Sequence, residues 1–78
     1  MEVELADLKV GEKAQIVGYK VTNESYLKKI LSMGLTNGAE IKVVKVGPLG
    51  DPIEIEIRGF KLSLRKKEAE ILKLRRIT

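Results

Sequence analysis

The stretch IEIEIRGFKLSL, residues 53–64, decides the fold. Ile53, Ile55 and Ile57 alternate with Glu54, Glu56 and Arg58, the period-two pattern of a strand with one buried face. Gly59-Phe60 reads as a two-residue connection with glycine at the first central position, as a type II′ hairpin turn requires. That register sets Arg58 opposite Lys61, Ile57 opposite Leu62, Ile55 opposite Leu64 and Glu54 opposite Arg65. The apolar pairs then share one face, and a Glu54–Arg65 charge pair lies on the other. Phe60 stands at the hairpin tip in this reading, either tucked against the domain or held out as an anchor for a partner.

Upstream of this hairpin lies GPLGDP, residues 47–52, which has the glycines of a phosphate loop. A phosphate site needs successive backbone N–H groups converging at a helix N-terminus. Pro48 and Pro52 each lack an N–H, Asp51 repels phosphate, and a strand follows in place of a helix. The segment reads as a type I turn with Pro48 at the second position and Gly50 at the fourth, Asp51 being held extended by Pro52. Leu49 sits at its tip.

Further out, Leu5, Leu8 and Val10 with Gly11 read as a short strand or turn that packs and then reverses. Residues 13–21 (KAQIVGYKV) and 39–46 (AEIKVVKV) read as two further strands, with Gly18 marking a bulge or bend in the first. Between them, residues 24–33 carry Tyr26, Leu27, Ile30, Leu31 and Met33 at helical spacing, with Thr22-Asn23 as candidate caps. Gly34 is placed to end that helix in a left-handed conformation, and Leu35 to fold back on its last turn. Thr36-Asn37-Gly38 is a turn leading into the next strand. After the hairpin, residues 66–71 form a helical turn. Leu72, Leu74 and Ile77 then alternate with Lys73, Arg75 and Arg76 in a closing strand.

A chain of 78 residues suits one domain over residues 1–78, and one that buries only about 60% of its unfolded surface. Aromatic residues make up 4% of it and cysteine is absent, so the core must be aliphatic and rests on packing without disulfides. Five or six short strands and one helix of about ten residues bury one face and hide their edges best as a small SH3-like barrel, all-β with minor α. The start of the chain has no basic stretch leading into an apolar core, and no apolar run reaches the ~18 residues of a membrane span, so a soluble cytoplasmic protein is expected.

Histidine is absent too, which removes the commonest general base and the commonest metal ligand together. No histidine is available to activate Ser25, Ser32 or Ser63. Glu54 and Glu56 on one strand face read as solvated carboxylates, so no enzyme and no cofactor are expected. A metal site would be all oxygen, from Glu2, Glu4, Asp7, Glu12 or Glu24, none of them at calcium-loop spacing.

Net charge is +4 and unevenly spread. Residues 1–40 hold five basic and six acidic side chains, and residues 41–78 hold ten and five. Arg58, Lys61, Arg65, Lys66 and Lys67 lie in an acid-free segment, which suits nucleic acid, an anionic surface, an acidic protein, or simply a solvated face. No aromatics interleave with it, so base stacking is not expected and nucleic acid is the weakest of these partners.

Taken in order, LADLKVGEKAQIVGY, LKKILSMGLTNGAEIKVVKVGPLGDPIEIEIRGFKLSLRKKEAEIL and LKLRR resemble the FeoA family, ferrous iron transport protein A, over nearly the whole chain. The resemblance is carried by Leu5, Leu8, Gly11 and Ile16, then Leu31, Met33-Gly34-Leu35, Gly38 and Ile41. It continues through Pro48-Leu49-Gly50-Asp51-Pro52, Gly59, Leu64-Arg65, Glu68-Ala69 and Ile71. Asn37 stands where the family commonly has proline. The resemblance implies an SH3-like barrel and a cytosolic adaptor or regulator of ferrous iron uptake. Its partner would be the cytoplasmic G-domain part of a membrane ferrous iron transporter, with weak self-association as a further possibility; the alternative is a domain that binds or senses ferrous ion directly. The expected contact surface is a cleft between helix 24–33 and the barrel. Tyr26, Leu27, Met33, Leu35 and Leu49 are placed near it, with Phe60 and Arg65 as a second contact. Gly34, Gly38, Gly50, Pro52 and Gly59 are expected to be structural turns.

Overall fold

The computed structural model describes residues 2–20 and 24–77. Six strands, β1 (Glu2–Val3), β2 (Lys13–Tyr19), β3 (Glu40–Val46), β4 (Ile53–Ile57), β5 (Phe60–Leu64) and β6 (Leu72–Arg76), form one sheet in the order β1-β6-β2-β3-β4-β5. Every pairing is antiparallel. Two helices, α1 (Glu24–Ser32) and α2 (Lys66–Ala69), complete the domain with 3-10 turns at Leu5–Asp7 and Pro48–Gly50. This is the expected SH3-like architecture with six strands.

The sheet curls because its central strands carry irregularities that bend them. The register slips between Ile16 and Gly18 in β2 and between Val43 and Lys45 in β3, and such bulges raise local twist and curvature. Gly18 marks the first, as expected. Curling wraps the apolar face around a core that includes Ile16, Ile41, Val43, Ile55, Ile57, Leu64, Leu72 and Leu74, each at most 1% exposed. Principal extents of 29 × 25 × 24 Å are nearly equal, as a sheet rolled around its own face requires.

Helix α1 joins that core through Ile30, which is fully buried, while Tyr26, Leu27 and Met33 pack against its margin. Its C-terminus is a Schellman motif: the Leu35 N–H donates to the Ile30 carbonyl at 3.2 Å and the Gly34 N–H to the Leu31 carbonyl at 3.0 Å. Gly34 has φ +91°, the left-handed conformation that the motif needs and that glycine adopts without a Cβ clash. The candidate caps Thr22 and Asn23 lie outside the described residues. Val10 and Ile77, read as packing residues from their spacing, are instead 61% and 46% exposed. Val10 falls in the turn before Gly11, and Ile77 lies just past the end of β6.

The hairpin differs from expectation by two residues. Ile57 pairs with Phe60, Glu56 with Lys61, Ile55 with Leu62, Glu54 with Ser63 and Ile53 with Leu64. The turn is therefore Arg58-Gly59, not Gly59-Phe60. Both residues have positive φ, +49° and +86°, which defines a type I′ turn. Because side chains alternate with period two, a shift of two residues keeps every isoleucine on the core face where a shift of one would have exposed them all. The cross-strand charge pair becomes Glu56 with Lys61, and Phe60 moves from the tip into β5.

The loop before β4 is also a different turn from the one expected. The Gly50 N–H donates to the Gly47 carbonyl at 3.0 Å with Pro48 in second position. The third residue, Leu49, has φ +60°, the value type II and not type I requires there. Asp51 is extended as expected, and its peptide bond to Pro52 is cis. Gly47 is required by close approach: a Cβ there would lie 2.6 Å from the Asp51 carbonyl oxygen.

A non-glycine residue in the left-handed region costs about 1–2 kcal/mol, and asparagine is the residue that type I′ turns favour before glycine. Arg58→Asn is expected to raise unfolding stability by about 0.5–1 kcal/mol in denaturant titrations. Both Arg58→Asn and Arg58→Ala give up the hydrogen bond that Arg58 donates to Thr36 Oγ1, so a stability of Arg58→Asn no higher than that of Arg58→Ala would contradict the Arg58-Gly59 turn.

Candidate interaction site

Between α1 and the start of α2 lies an open groove of about 510 Å³, lined by Tyr26, Lys29, Asp51, Arg65, Lys66, Lys67 and Glu68. Three elements build it. Helix α1 supplies Tyr26 and Lys29, one turn apart on the same face. The loop before β4 supplies Asp51, and the chain leaving β5 supplies the rest.

Its floor is tied by a small polar network. Glu68 is only 4% exposed, yet its carboxylate accepts the Arg65 N–H at 2.9 Å and meets the Lys29 ammonium at 2.5 Å. Asp51 accepts the Lys66 N–H at 3.0 Å, so the first N–H groups of α2 are met by two carboxylates. The Lys29 hydrogen bond, chiefly, together with the Arg65 N–H, holds the Glu68 carboxyl below the ordinary glutamate range against the opposing effect of burial. Among the described residues no buried side-chain polar atom is left without a partner.

The expected cleft lay between helix 24–33 and the barrel; this groove lies between α1 and the start of α2, and its lining differs from the residues expected. Tyr26 and Arg65 come together there, whereas the aliphatic residues do not. Leu35 is fully buried, because it follows the helix-ending glycine and folds onto Ile30. Leu27 and Met33 are half-buried against the core. Leu49 is completely exposed at the tip of its loop, and Phe60 is 50% exposed at the start of β5. Of the apolar helix stripe, Ile30 is buried and Tyr26, Leu27 and Met33 pack against the core, whereas Leu31, read from its spacing as part of the stripe, is 43% exposed and does not line the groove. Lys29, Asp51, Lys66, Lys67 and Glu68 line it with Tyr26 and Arg65. The acid-free cationic run marks Lys66 and Lys67, and the spacing of Glu68, three residues after Arg65, is the one at which a side chain reaches back to a helix-starting N–H; nothing local marks Lys29 or Asp51.

Chemically the groove can bind but offers little else. It holds one phenol, four cations and two carboxylates, and both carboxylates are engaged. Among the acidic residues nearer the start of the chain, Glu4, Asp7 and Glu12 are likewise engaged within the protein. Glu4 pairs with Lys20, Asp7 accepts the Glu4 N–H at 2.9 Å, and Glu12 pairs with Arg76 at 3.2 Å. Among the described residues no three potential ligands of the His, Cys, Asp or Glu type gather into a metal site. No helix among them is long and apolar enough to cross a membrane.

Comparison with known proteins gives a family by sequence and a fold shared more widely. A family model described as the FeoA domain matches residues 3–76. The chain is 37% identical over 65 residues to a Fe(2+) transport protein A/Fe(2+) transporter FeoB fusion protein of Porphyromonas gingivalis. That match covers 83% of this chain and only 8% of the fusion protein, so the chain spans less than a tenth of that relative's length. Among solved structures, a FeoA-like protein from Clostridium acetobutylicum is 32% identical with a TM-score of 0.88, covering 99% of this chain and 88% of that one. FeoA from Stenotrophomonas maltophilia, complexed with zinc and described as a prokaryotic SH3 domain protein, has a TM-score of 0.78. It covers 94% of this chain and 89% of its own, and at 21% identity the likeness is one of fold.

Glu68 contributes stability that is present above the carboxyl's unfolded pKa and is lost as pH falls through its lower folded value. Lys29 is more than half exposed, so solvent screens its share of this stability, while the Arg65 N–H adds a second hydrogen bond to the same buried carboxylate. Glu68→Ala is expected to cost about 1–3 kcal/mol at neutral pH by leaving that N–H without its acceptor. Glu68→Gln, which keeps an acceptor, should cost less and flatten the acid limb of a Tm-against-pH profile. An unchanged acid limb would show that Glu68 does not carry it.

Proposed function

Because this chain belongs to the FeoA domain family, we propose that it is a non-enzymatic cytosolic adaptor of ferrous iron uptake, binding the cytoplasmic G-domain part of a membrane ferrous iron transporter. The observation that carries this reading is the fusion relative. There a domain similar to this chain is joined in one polypeptide to the FeoB transporter. Such a linkage holds two partners at high effective concentration and favours contacts that are individually weak.

The surface supports a binding role. Leu49 is wholly exposed and sits at φ +60°, so the domain gains neither burial nor relaxed backbone from a leucine there. Leu49, two residues before the groove-lining Asp51, suits a small anchor for another protein beside the groove, and the exposed Phe60 at the far end of β5 suits a separate second contact. Leu49, Phe60, Tyr26 and Arg65 are the proposed contacts, with Leu27 and Met33 at the margin. Leu35 acts only from within the core.

Titrating the transporter's full cytoplasmic part into labelled protein should shift amide signals around Leu49 and the Tyr26 groove. Leu49→Gly relieves the positive φ and removes the side chain. It should weaken that binding about tenfold or more without lowering stability, because relief of the left-handed backbone offsets the entropy glycine costs. Absence of any shift at high concentration would end the adaptor reading.

A further inference from the structure

The sheet order leaves two edges, β1 and β5. β1 is two residues long and offers little backbone. β5 runs for five residues, and no described strand pairs with its outer side. Its two-residue turn closes on Ile57 and Phe60, and such a turn closes on a hydrogen-bonded pair. Alternation along an antiparallel ladder then makes Ile55–Leu62 and Ile53–Leu64 hydrogen-bonded pairs too. The N–H and C=O groups of Lys61 and Ser63 therefore point away from β4, along an exposed edge.

What can cover that edge is limited by charge. Between Arg58 and Lys67 there are five cations and no acid. Lys61 is balanced in part by Glu56 across the strand pair. Arg65, Lys66 and Lys67 are exposed and form no ion pair among the described residues. Pairing β5 with β5 of a second copy would set two acid-free cationic segments side by side, which opposes self-association at this edge. An extended acidic segment meets no such barrier. A segment running along β5 also leads past Arg65 into the Tyr26 groove, because Arg65 both follows the strand and lines the groove.

We propose that the outer edge of β5 takes an extended acidic segment of a partner protein as a seventh strand. Its backbone pairs with Lys61 and Ser63, and its carboxylates meet Lys61, Arg65, Lys66 and Lys67. This deepens the adaptor reading, and rests on it only for which protein supplies the segment.

The test uses a capped peptide of about eight residues alternating Glu and Val, long enough to span one strand. Titrated into labelled protein, it should shift the amides of Lys61 and Ser63 and slow their hydrogen exchange. Affinity should fall several-fold on going from low to high salt. Ser63→Pro deletes an outward N–H at an edge position where proline is tolerated, and is expected to weaken binding about tenfold. Lys61→Glu leaves the backbone intact and should weaken it comparably, which keeps the test decisive if the proline variant unfolds. The same peptide with Lys in place of Glu should not bind. Shifts that avoid β5, equal binding of the Lys peptide, or affinity unchanged in the variants would overturn the proposal. Concentration-dependent shifts at Lys61 and Ser63 in the protein alone would also overturn it, by making a second copy the occupant. Peptide binding at β5 with no response to the transporter's cytoplasmic part would remove the adaptor reading and leave the edge site standing.

Discussion

The structure depends on enclosing the face of β4 that carries Ile53, Ile55 and Ile57, all at most 2% exposed. A domain this small has no second core to fall back on, no disulfide, and little aromatic surface. Aliphatic burial at roughly 25 cal/mol per Å² is the main favourable term, and it is realised only if the sheet curls until its own strands cover one another. The bulges in β2 and β3 permit that curl, and Ile30 of α1 reaches into the core that it encloses. Shape complementarity among isoleucines and leucines replaces what cross-links supply in other small domains.

Polar ties then fix what packing leaves loose. Asp51 and Glu68 each accept an N–H at the start of α2, and Glu68 also meets Lys29 of α1. One short helix thereby links the loop before β4, the end of β5 and the long helix. The groove above this network is preorganised, with its carboxylates and Lys29 already engaged and Arg65, Lys66 and Lys67 exposed. Such a surface suits recognition of an anionic or mixed partner more than chemistry on a small molecule.

The GPLGDP loop shows how local rules and tertiary use divide. Two prolines and a close backbone contact at Gly47 make it a rigid turn, and Asp51 at its end caps α2. Leu49 is the exception within it: its side chain touches solvent alone while its backbone sits in the left-handed region. Strain without burial is easier to understand on a surface that meets another protein than inside an isolated domain.

Much of this was legible from residue order alone. Period-two alternation marked β4, helical spacing marked α1, and Gly34 marked its end, because each signal is local and follows from backbone geometry. The family resemblance was likewise carried by short elements in a fixed order. The hairpin register was not legible, since nothing about arginine announces a left-handed conformation and a shift of two residues leaves the hydrophobic pattern unchanged. Nor could spacing say that Leu35 would be consumed by the core, or that Lys29, Asp51 and Glu68, from three separate segments, would meet. Local pattern determined which faces are apolar; only the closed tertiary structure decided which of those residues remain on the surface and which strand edge is left open.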